Sequence, residues 1–250
     1  MFANERRSSI LKWLNDRRQL SVKELVRLTH ASPATVRRDL DYLAEAGKII
    51  RVHGGASLKQ DATSLFSENE FEQKVQEFSS EKQRIGHAIA QLINENDYNA
   101  IYFDAGTSVL AVIPYLDRTD LFVITNGLHH VFPLISKGAH VILLGGTVKP
   151  TTQAVVGPQA ISQLSHYNLD LSVIGVNAID EENGLMTPDV NEAELKRVAI
   201  TQAERTIVAA DHSKFNQRSL HSFASLPEVT IMTDDVLPEY KAFKNIKEAR

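Results

Sequence analysis

Two helix-start signals eleven residues apart constrain this chain more than any other feature. Ser21-Val22-Lys23-Glu24 has the form of a capping box. The serine can accept the N–H of the third helical residue, and the glutamate there can reach back to the serine amide. Leu20 and Leu25 sit where a hydrophobic staple would join the entering chain to the first turn. The second signal is Ser32-Pro33, a favoured N-cap followed by a proline at the position that needs no amide. Val36, Leu40 and Leu43 then recur at helical spacing, and Gly47 supplies a terminator. Only residues 29–31 separate the two helices, so the pair reads as a helix-turn-helix. A preceding helix over 4–17, with Asn4 as N-cap, packs Ile10, Leu11 and Leu14 against it, with Trp13 alongside.

The second helix of such a pair enters the major groove and presents its N-terminal residues to the bases. Here those are Ser32, Ala34, Thr35, Arg37 and Arg38. Arginine pairs bidentately with guanine, and Ala34 or the Thr35 methyl suits a thymine methyl. Ser32 and the amides at the helix start suit a phosphate. Taken alone, Arg37 and Arg38 read equally as a solvated helix face. Lys48 to Val52 alternates like a short strand, and Gly54-Gly55 supplies a turn. A hairpin there is a wing, with Arg51, His53 and the bare backbone of Gly54 near phosphates. Charge agrees: residues 1–56 carry 11 Lys/Arg against 6 Asp/Glu, whereas 57–250 carry 16 against 25. A basic head on an acidic body directs only the head to a polyanion.

The remainder alternates apolar runs with helical stretches. Strands are expected at 100–103, 121–125, 140–144, 169–176, 206–210 and 229–233. Helices are expected from Ser80-Glu81 onward (buried face Ile85, Ala88, Ile89, Leu92), then at 108–116, 127–137, 158–166 and 191–203, and over the last dozen residues. Strands this continuously apolar are buried on both faces, and the alternation predicts an α/β domain with a mainly parallel sheet. The chain thus divides into a winged helix-turn-helix head at 1–56, a linker at 57–79 and an α/β body at 80–250. The linker is polar, with a helical piece at 70–78. Its Leu65, Phe66, Phe71, Val75 and Phe78 are apolar enough to dock on the body or on a partner subunit.

Ligands of open α/β sheets bind beyond the carboxyl ends of the strands. Five polar segments fall at such ends: Asp104-Ala105-Gly106-Thr107-Ser108, Thr125-Asn126-Gly127, Gly145-Gly146-Thr147, Asn177 with Asp180, and Asp211-His212-Ser213-Lys214. Gly106 admits a ligand to the backbone, the Thr107 and Ser108 hydroxyls suit phosphate oxygens, and Lys214 supplies a cation. Asp104 and Asp211 suit sugar hydroxyls. Each segment by itself is also an ordinary loop or helix start; their recurrence points to a shared pocket. Glu192 and Lys196, at i and i+4, read as a surface pair.

Composition excludes several classes. There is no cysteine, hence no disulfide, thiolate metal site or cysteine nucleophile. The nine histidines show no ligand spacing, and no metal site or catalytic residue is assigned. No apolar run approaches the roughly 18 residues of a membrane span, and residues 1–10 are polar and charged, giving no secretory signal. A cytoplasmic protein without a membrane partner is expected.

The run Ser32-Pro33-Ala34-Thr35-Val36-Arg37-Arg38-Asp39-Leu40, with Leu43, Gly47 and Arg51-Val52-His53-Gly54-Gly55-Ala56, resembles the N-terminal signature of the DeoR family of bacterial regulators of sugar and nucleoside metabolism. Asp104-Ala105-Gly106-Thr107-Ser108, Thr125-Asn126, Gly145-Gly146 and Asp211-His212-Ser213-Lys214-Phe215 extend the match over nearly the whole chain. Ser108 departs from the family's usual second threonine but keeps a hydroxyl. The resemblance implies a body similar to ribose-5-phosphate isomerase and gives Glu192 and Lys196 pocket roles. It also implies a repressor of a carbohydrate or nucleoside operon that binds double-stranded operator DNA as a homodimer or homotetramer. A phosphorylated sugar-like effector would control it, without a cofactor. The alternative is a sugar-phosphate isomerase-like enzyme. Isomerases of this fold share an acidic Asp-Gly-Ala-Asp motif, where this chain offers Val176-Asn177-Ala178-Ile179-Asp180, and Asn177 cannot act as a general base.

Overall fold

A computed structural model describes residues 3–17, 19–52, 54–58 and 71–249. The chain falls into two units, Met1–Thr63 and Ser64–Arg250. The first contains α1 (Ala3–Arg17), β1 (Gln19–Ser21), α2 (Val22–Thr29), α3 (Pro33–Glu45), β2 (Ile49–Val52) and β3 (Gly55–Leu58). The capping box forms as its residues dictate: the Glu24 amide donates to Ser21 Oγ at 3.2 Å, and Ser21 N donates to Glu24 Oε2 at 2.8 Å. That bonding holds the Glu24 carboxyl below its ordinary pKa. Ser32 caps α3 by accepting the Thr35 amide at 3.2 Å. Asn4 lies inside α1 rather than capping it. Ile10, Leu14, Leu20, Leu25, Val36, Leu40, Leu43, Ile49 and Ala56 close into one core.

The wing is a three-stranded antiparallel sheet in the order β1-β3-β2. β1 was not anticipated, and β3 runs to Leu58, past the expected end of the head at 56. Gly55 is required by this pairing, because a Cβ there would sit 2.3 Å from the Leu20 carbonyl oxygen. One buried charge joins α1 to α3. Asp39, 2% exposed, accepts from Arg6 Nε at 2.6 Å and Arg7 Nε at 2.8 Å.

The second unit begins with α4 (Phe71–Gln76) and α5 (Ser79–Glu95). Then come β4 (Ala100–Phe103), α6 (Thr107–Leu110), β5 (Phe122–Thr125), α7 (Leu128–Ser136), β6 (His140–Leu143), β7 (Thr147–Lys149), β8 (Ala154–Val156) and α8 (Pro158–Leu164). The chain continues through β9 (Leu169–Gly175), β10 (Ala178–Asp180), β11 (Gly184–Thr187), α9 (Val190–Thr201), β12 (Ala203–Ala209), β13 (His221–Ala224), β14 (Thr230–Thr233) and β15 (Ile246–Glu248). Seven strands form one parallel sheet in the order β15-β14-β12-β9-β4-β5-β6. One face packs on α8 and α9 through Ile124, Ile174 and Val208; the other packs on α5, α6 and α7 through Val123, Val173 and Ile207.

Several expectations need correction. The last dozen residues hold a 3₁₀ turn (Pro238–Tyr240) and edge strand β15, not a helix. The helix expected over 108–116 is only α6, followed by a 3₁₀ turn at Ile113–Tyr115 built around Pro114. Two small antiparallel sheets, β7-β8 and β10-β11-β13, were not anticipated. Phe71, from the expected linker, is buried in the second unit; Leu65 and Phe66 lie outside the described residues.

Removing the Asp39 carboxylate leaves two guanidinium groups facing each other at a nearly dry junction. Asp39→Ala is expected to lower the stability of the first unit by about 2–4 kcal/mol. Urea unfolding followed by fluorescence of Trp13, the chain's one tryptophan, reads it.

Candidate functional site

The residues at the start of α3 lie mostly on the surface. Ser32, Ala34, Arg37 and Arg38 are exposed and Thr35 is half-buried. Ser32 Oγ and Thr35 Oγ1 lie 2.9 Å apart. Among the described residues neither Arg37 nor Arg38 has an ion-pair partner, whereas Arg6 and Arg7 are spent on Asp39. Arg51 is engaged within the unit, with Nε 3.2 Å from Asp41 Oδ1 and Nη1 donating to the Gly55 carbonyl at 3.3 Å. Gly54 is exposed with φ +80°, at the tip between β2 and β3. His53 lies outside the described residues.

In the second unit the carboxyl edge of the parallel sheet carries a buried polar network. Asp104, directly after β4, accepts from Lys196 Nζ on α9 and from the Gly175 amide at 2.9 Å, at the end of β9. Lys196 Nζ also donates to the Gly175 carbonyl at 3.0 Å. Both charged side chains are under 10% exposed. Lys196 and Glu192 are therefore not a surface pair. Glu192 accepts from Thr152 Oγ1 at 3.0 Å, Lys149 Nζ at 3.2 Å and Thr187 Oγ1 at 3.2 Å. Asn126 joins three elements: its Oδ1 accepts from Tyr102 Oη and the Ala105 amide, both at 2.9 Å, and its Nδ2 donates to the Val155 carbonyl at 3.1 Å. Burial, then the negative charges of Asp104 and Glu192, push the Tyr102 hydroxyl pKa well up. Thr125 is structural, bridging the Phe103 carbonyl and the Gly127 amide.

Other expected residues are placed differently. Ser108 is buried at the start of α6, with Gly106 and Thr107 half-buried beside it. The Gly145 amide is held by Gln163 Oε1 at 2.8 Å, and Gly146 packs against the backbone of β8. The Asn177 amide pairs with the Met186 carbonyl at 3.1 Å, while Asp180 closes the β10–β11 turn through the Glu182 and Asn183 amides. Asp211 and Lys214 form a second group after β12, with Lys214 Nζ 3.4 Å from Asp211 Oδ2. Burial opposes the Asp211 charge, yet Lys214, Ser213 and Lys82 together hold its pKa below the ordinary value.

Three participants were not singled out from the sequence. Tyr102 looked like an ordinary strand residue. Lys82 lies on α5, three and seven residues before buried Ile85 and Ile89. A lysine on an apolar stripe was the available signal. His130 on α7 is fully buried and sits against Gly127, where a Cβ would fall 2.3 Å from its Nδ1. The ring approaches the Gly106 backbone without closing a hydrogen bond of full geometry. Burial lowers its pKa to about 4.

A helix-turn-helix with an exposed second helix, followed by an α/β unit with a buried polar network at its carboxyl edge, is the arrangement expected of a DNA-binding regulator with a separate sensing unit. The comparisons agree. Residues 6–62 match the DeoR-like helix-turn-helix domain, and residues 77–235 match the DeoR C terminal sensor domain. The uncharacterized HTH-type transcriptional regulator FruR of Bacillus subtilis is 39% identical over 99% of this chain and 96% of its own length. The HTH-type transcriptional repressor GlcR of the same organism is 34% identical over 95% and 90%. The glycerol-3-phosphate regulon repressor of Escherichia coli K12 is 28% identical over 95% and 93%. A ribose 5-phosphate isomerase A of Methanocaldococcus jannaschii aligns at 14% identity over 55% of each chain with TM-score 0.40, a likeness too low to bear on activity. The chain belongs to the DeoR family of transcriptional regulators. No helix among the described residues is long and apolar enough to cross a membrane.

The neutral His130 gives a pH signature. The unfolded chain takes up a proton near pH 6.5 and the folded chain only near 4. The second unit therefore loses stability as pH falls between those values, by about 3 kcal/mol at most. His130→Leu is expected to remove this part of the pH dependence, read by urea unfolding followed by circular dichroism from pH 7 to 4.

Proposed function

We propose that the chain is a repressor whose affinity for operator DNA is controlled by a small phosphorylated sugar or polyol bound at the carboxyl edge of the second unit's sheet. The Asp104–Lys196 pair carries this reading. Two opposite charges kept under 10% exposed, on one strand end and one helix, hold fixed donors and acceptors at the place where open α/β sheets take ligands. Gly106, Thr107, Ser108, Asn126, Glu192 and Lys214 complete the proposed lining, with Thr125, Gly145, Gly146, Asn177 and Asp211 shaping it. The relatives support the ligand class: one is named for the glycerol-3-phosphate regulon and another as a putative aga operon repressor. The isomerase alternative is disfavoured. Asn177 cannot serve as a base, and the buried carboxylates of Asp104 and Glu192 are both committed to hydrogen bonds. We therefore assign no catalytic residue and no cofactor, and place the chain in the cytoplasm with its operator.

Arg38 and Arg37 are the proposed base- and phosphate-contacting residues, with Ser32, Ala34, Thr35 and Gly54 beside them. Arg51, tied to Asp41, has a lesser part, and His53 remains assigned by motif alone. Arg38→Ala should weaken binding to the specific site by about 1–3 kcal/mol, roughly 5–150-fold. Quantitative footprinting checks it, and unchanged affinity in a folded Arg37→Ala/Arg38→Ala variant contradicts the assignment.

One head reads few base pairs, so the chain should act as a homodimer or homotetramer. The open edge supports this. β6 ends the seven-stranded sheet and exposes Ile142 and Leu143, and neighbouring α7 exposes Phe132, 78% accessible, and Ile135. An apolar open edge on a soluble protein marks an interface. Phe132→Glu with Ile142→Glu should shift the particle toward monomer by light scattering at micromolar concentration; an unchanged mass places the interface elsewhere.

The reading as a whole is tested by operator affinity of the full chain with and without a panel of sugar and polyol phosphates. At least one should change affinity roughly 5–150-fold, and Asp104→Asn should abolish that response while leaving basal operator binding intact. A chain indifferent to every member overturns it.

A further inference from the structure

α3 carries a large side chain on its outer surface that the core of the head does not explain. Tyr42 is 52% exposed, while the helix buries Val36, Asp39, Leu40 and Leu43. Seven residues make almost two full turns, so Thr35, Arg38 and Tyr42 rise in one row along a flank of the helix. On that row Tyr42 stands about 6 Å beyond Arg38 and about 10 Å beyond Thr35. Two carboxylates share the outer surface of the same half of α3. Asp41 is tied to Arg51. Glu45, at about 100° per residue, points opposite the Val36–Leu40–Leu43 stripe, whereas Tyr42 turns toward α1, where its ring meets Arg7.

The ring is held in place. The Arg7 guanidinium carbon lies 3.7 Å from the ring centroid, a cation–π geometry. The same guanidinium donates through Nε to Asp39 Oδ1 at 2.8 Å, and Asp39 is buried. An exposed tyrosine ordinarily samples several rotamers; this one is pinned through Arg7 to a carboxylate inside the head. A buried ion pair adds little net stability and acts mainly by fixing positions. The outermost position fixed by this one is the Tyr42 ring. Beyond the ring, the hydroxyl has no hydrogen-bond partner among the described residues. A rigid aromatic body with an open polar tip stands on the same flank as Arg38.

We propose that Tyr42 is a DNA-backbone contact, its hydroxyl donating to a phosphodiester oxygen at the wall of the major groove, with Arg7 as the positioning residue that holds the ring for it. This rests on the reading that α3 enters the groove by its start. The major groove is about 12 Å wide. A helix whose first turns reach the base edges therefore has its later turns at the level of the sugar–phosphate wall. Tyrosine is among the side chains that donate to phosphate oxygens, and such contacts carry no sequence information but set register and orientation. Tyr42 thus fixes the angle at which Arg37 and Arg38 meet the bases.

The test uses the full chain and duplexes that it recovers from a random-sequence pool. Tyr42→Phe keeps the ring and the Arg7 stack and removes only the hydroxyl. Its urea-unfolding midpoint should match wild type. Its affinity should fall about tenfold, the effect of one hydrogen bond to a charged group, and equally on every recovered sequence. The slope of log affinity against log salt should stay unchanged, because a neutral hydroxyl displaces no counterion. In ethylation interference, one phosphate per half-site that matters to wild type should cease to matter to Tyr42→Phe. Arg7→Lys keeps a charge for Asp39 but loses the planar stack. Combined with Tyr42→Phe it should weaken binding no more than the larger single change, because both act through one contact. Tyr42→Phe binding within twofold of wild type, or an interference pattern identical to wild type, overturns the contact, and additive losses overturn the role of Arg7. If Arg38→Ala weakens binding while Tyr42→Phe does not, the Tyr42 contact alone falls. If neither variant weakens binding, or the chain recovers no duplex, the groove reading falls with it.

Discussion

The sensing unit depends on one buried ion pair. Asp104 stands at the end of β4, the strand with β5 on one side and β9 on the other, and its carboxylate holds both the Gly175 amide of β9 and the Lys196 ammonium of α9. A pair this dry does little for net stability compared with an apolar replacement, because desolvation offsets most of the attraction. Its value is positional. Removing either partner strands a charge, so β4, β9 and α9 keep one relative placement and the loops that follow them keep one geometry. Asn126 extends the arrangement to β5 and β8 through neutral hydrogen bonds. Electrostatic preorganisation of this kind suits a site that binds a polar ligand without reacting it.

The head follows a parallel logic at smaller scale. Asp39 gathers Arg6 and Arg7 beneath α3, so those cations are spent on architecture, whereas Arg37 and Arg38 lie on the exposed face. Composition gives the head its positive balance, but partner assignments decide which charges are available. The two lysines of the sensing unit's edge that lie after β9 and β12 are likewise engaged, Lys196 by Asp104 and Lys214 by Asp211.

The sequence made legible whatever is encoded locally. The capping box at Ser21, the Ser32-Pro33 start and the Val36–Leu40–Leu43 stripe are fixed by short-range spacing, and all formed. The parallel strands were legible because burial on both faces demands continuous apolar runs. Elements that rest on long-range pairing were not. β7, β8, β10, β11 and β13 are three or four residues long, and nothing in their own sequence announces them. β15 was read as helix because its pairing partner, β14, supplies the ordering. The site shows the same division. Strand-end loops could be listed, but which carboxylate meets which lysine is a property of the folded edge. Glu192 and Lys196, adjacent on one helix face, each bond to distant residues instead of to each other. Lys82 carried a readable sign, a cation on an apolar helix stripe, whose hydrogen bond to the Lys74 carbonyl only the folded chain shows.

The central claim is a coupling between the sensing unit's edge and the head, and coupling is reciprocal: each ligand must alter the other's affinity by the same factor. The direct measurement is the affinity of a sugar or polyol phosphate for the full chain, free and then saturated with operator DNA, beside the operator affinity with and without that same phosphate. The account predicts weaker effector binding on the operator-bound chain, by the factor that the effector weakens operator binding. Equal effector affinities for the free and operator-bound chain would contradict it.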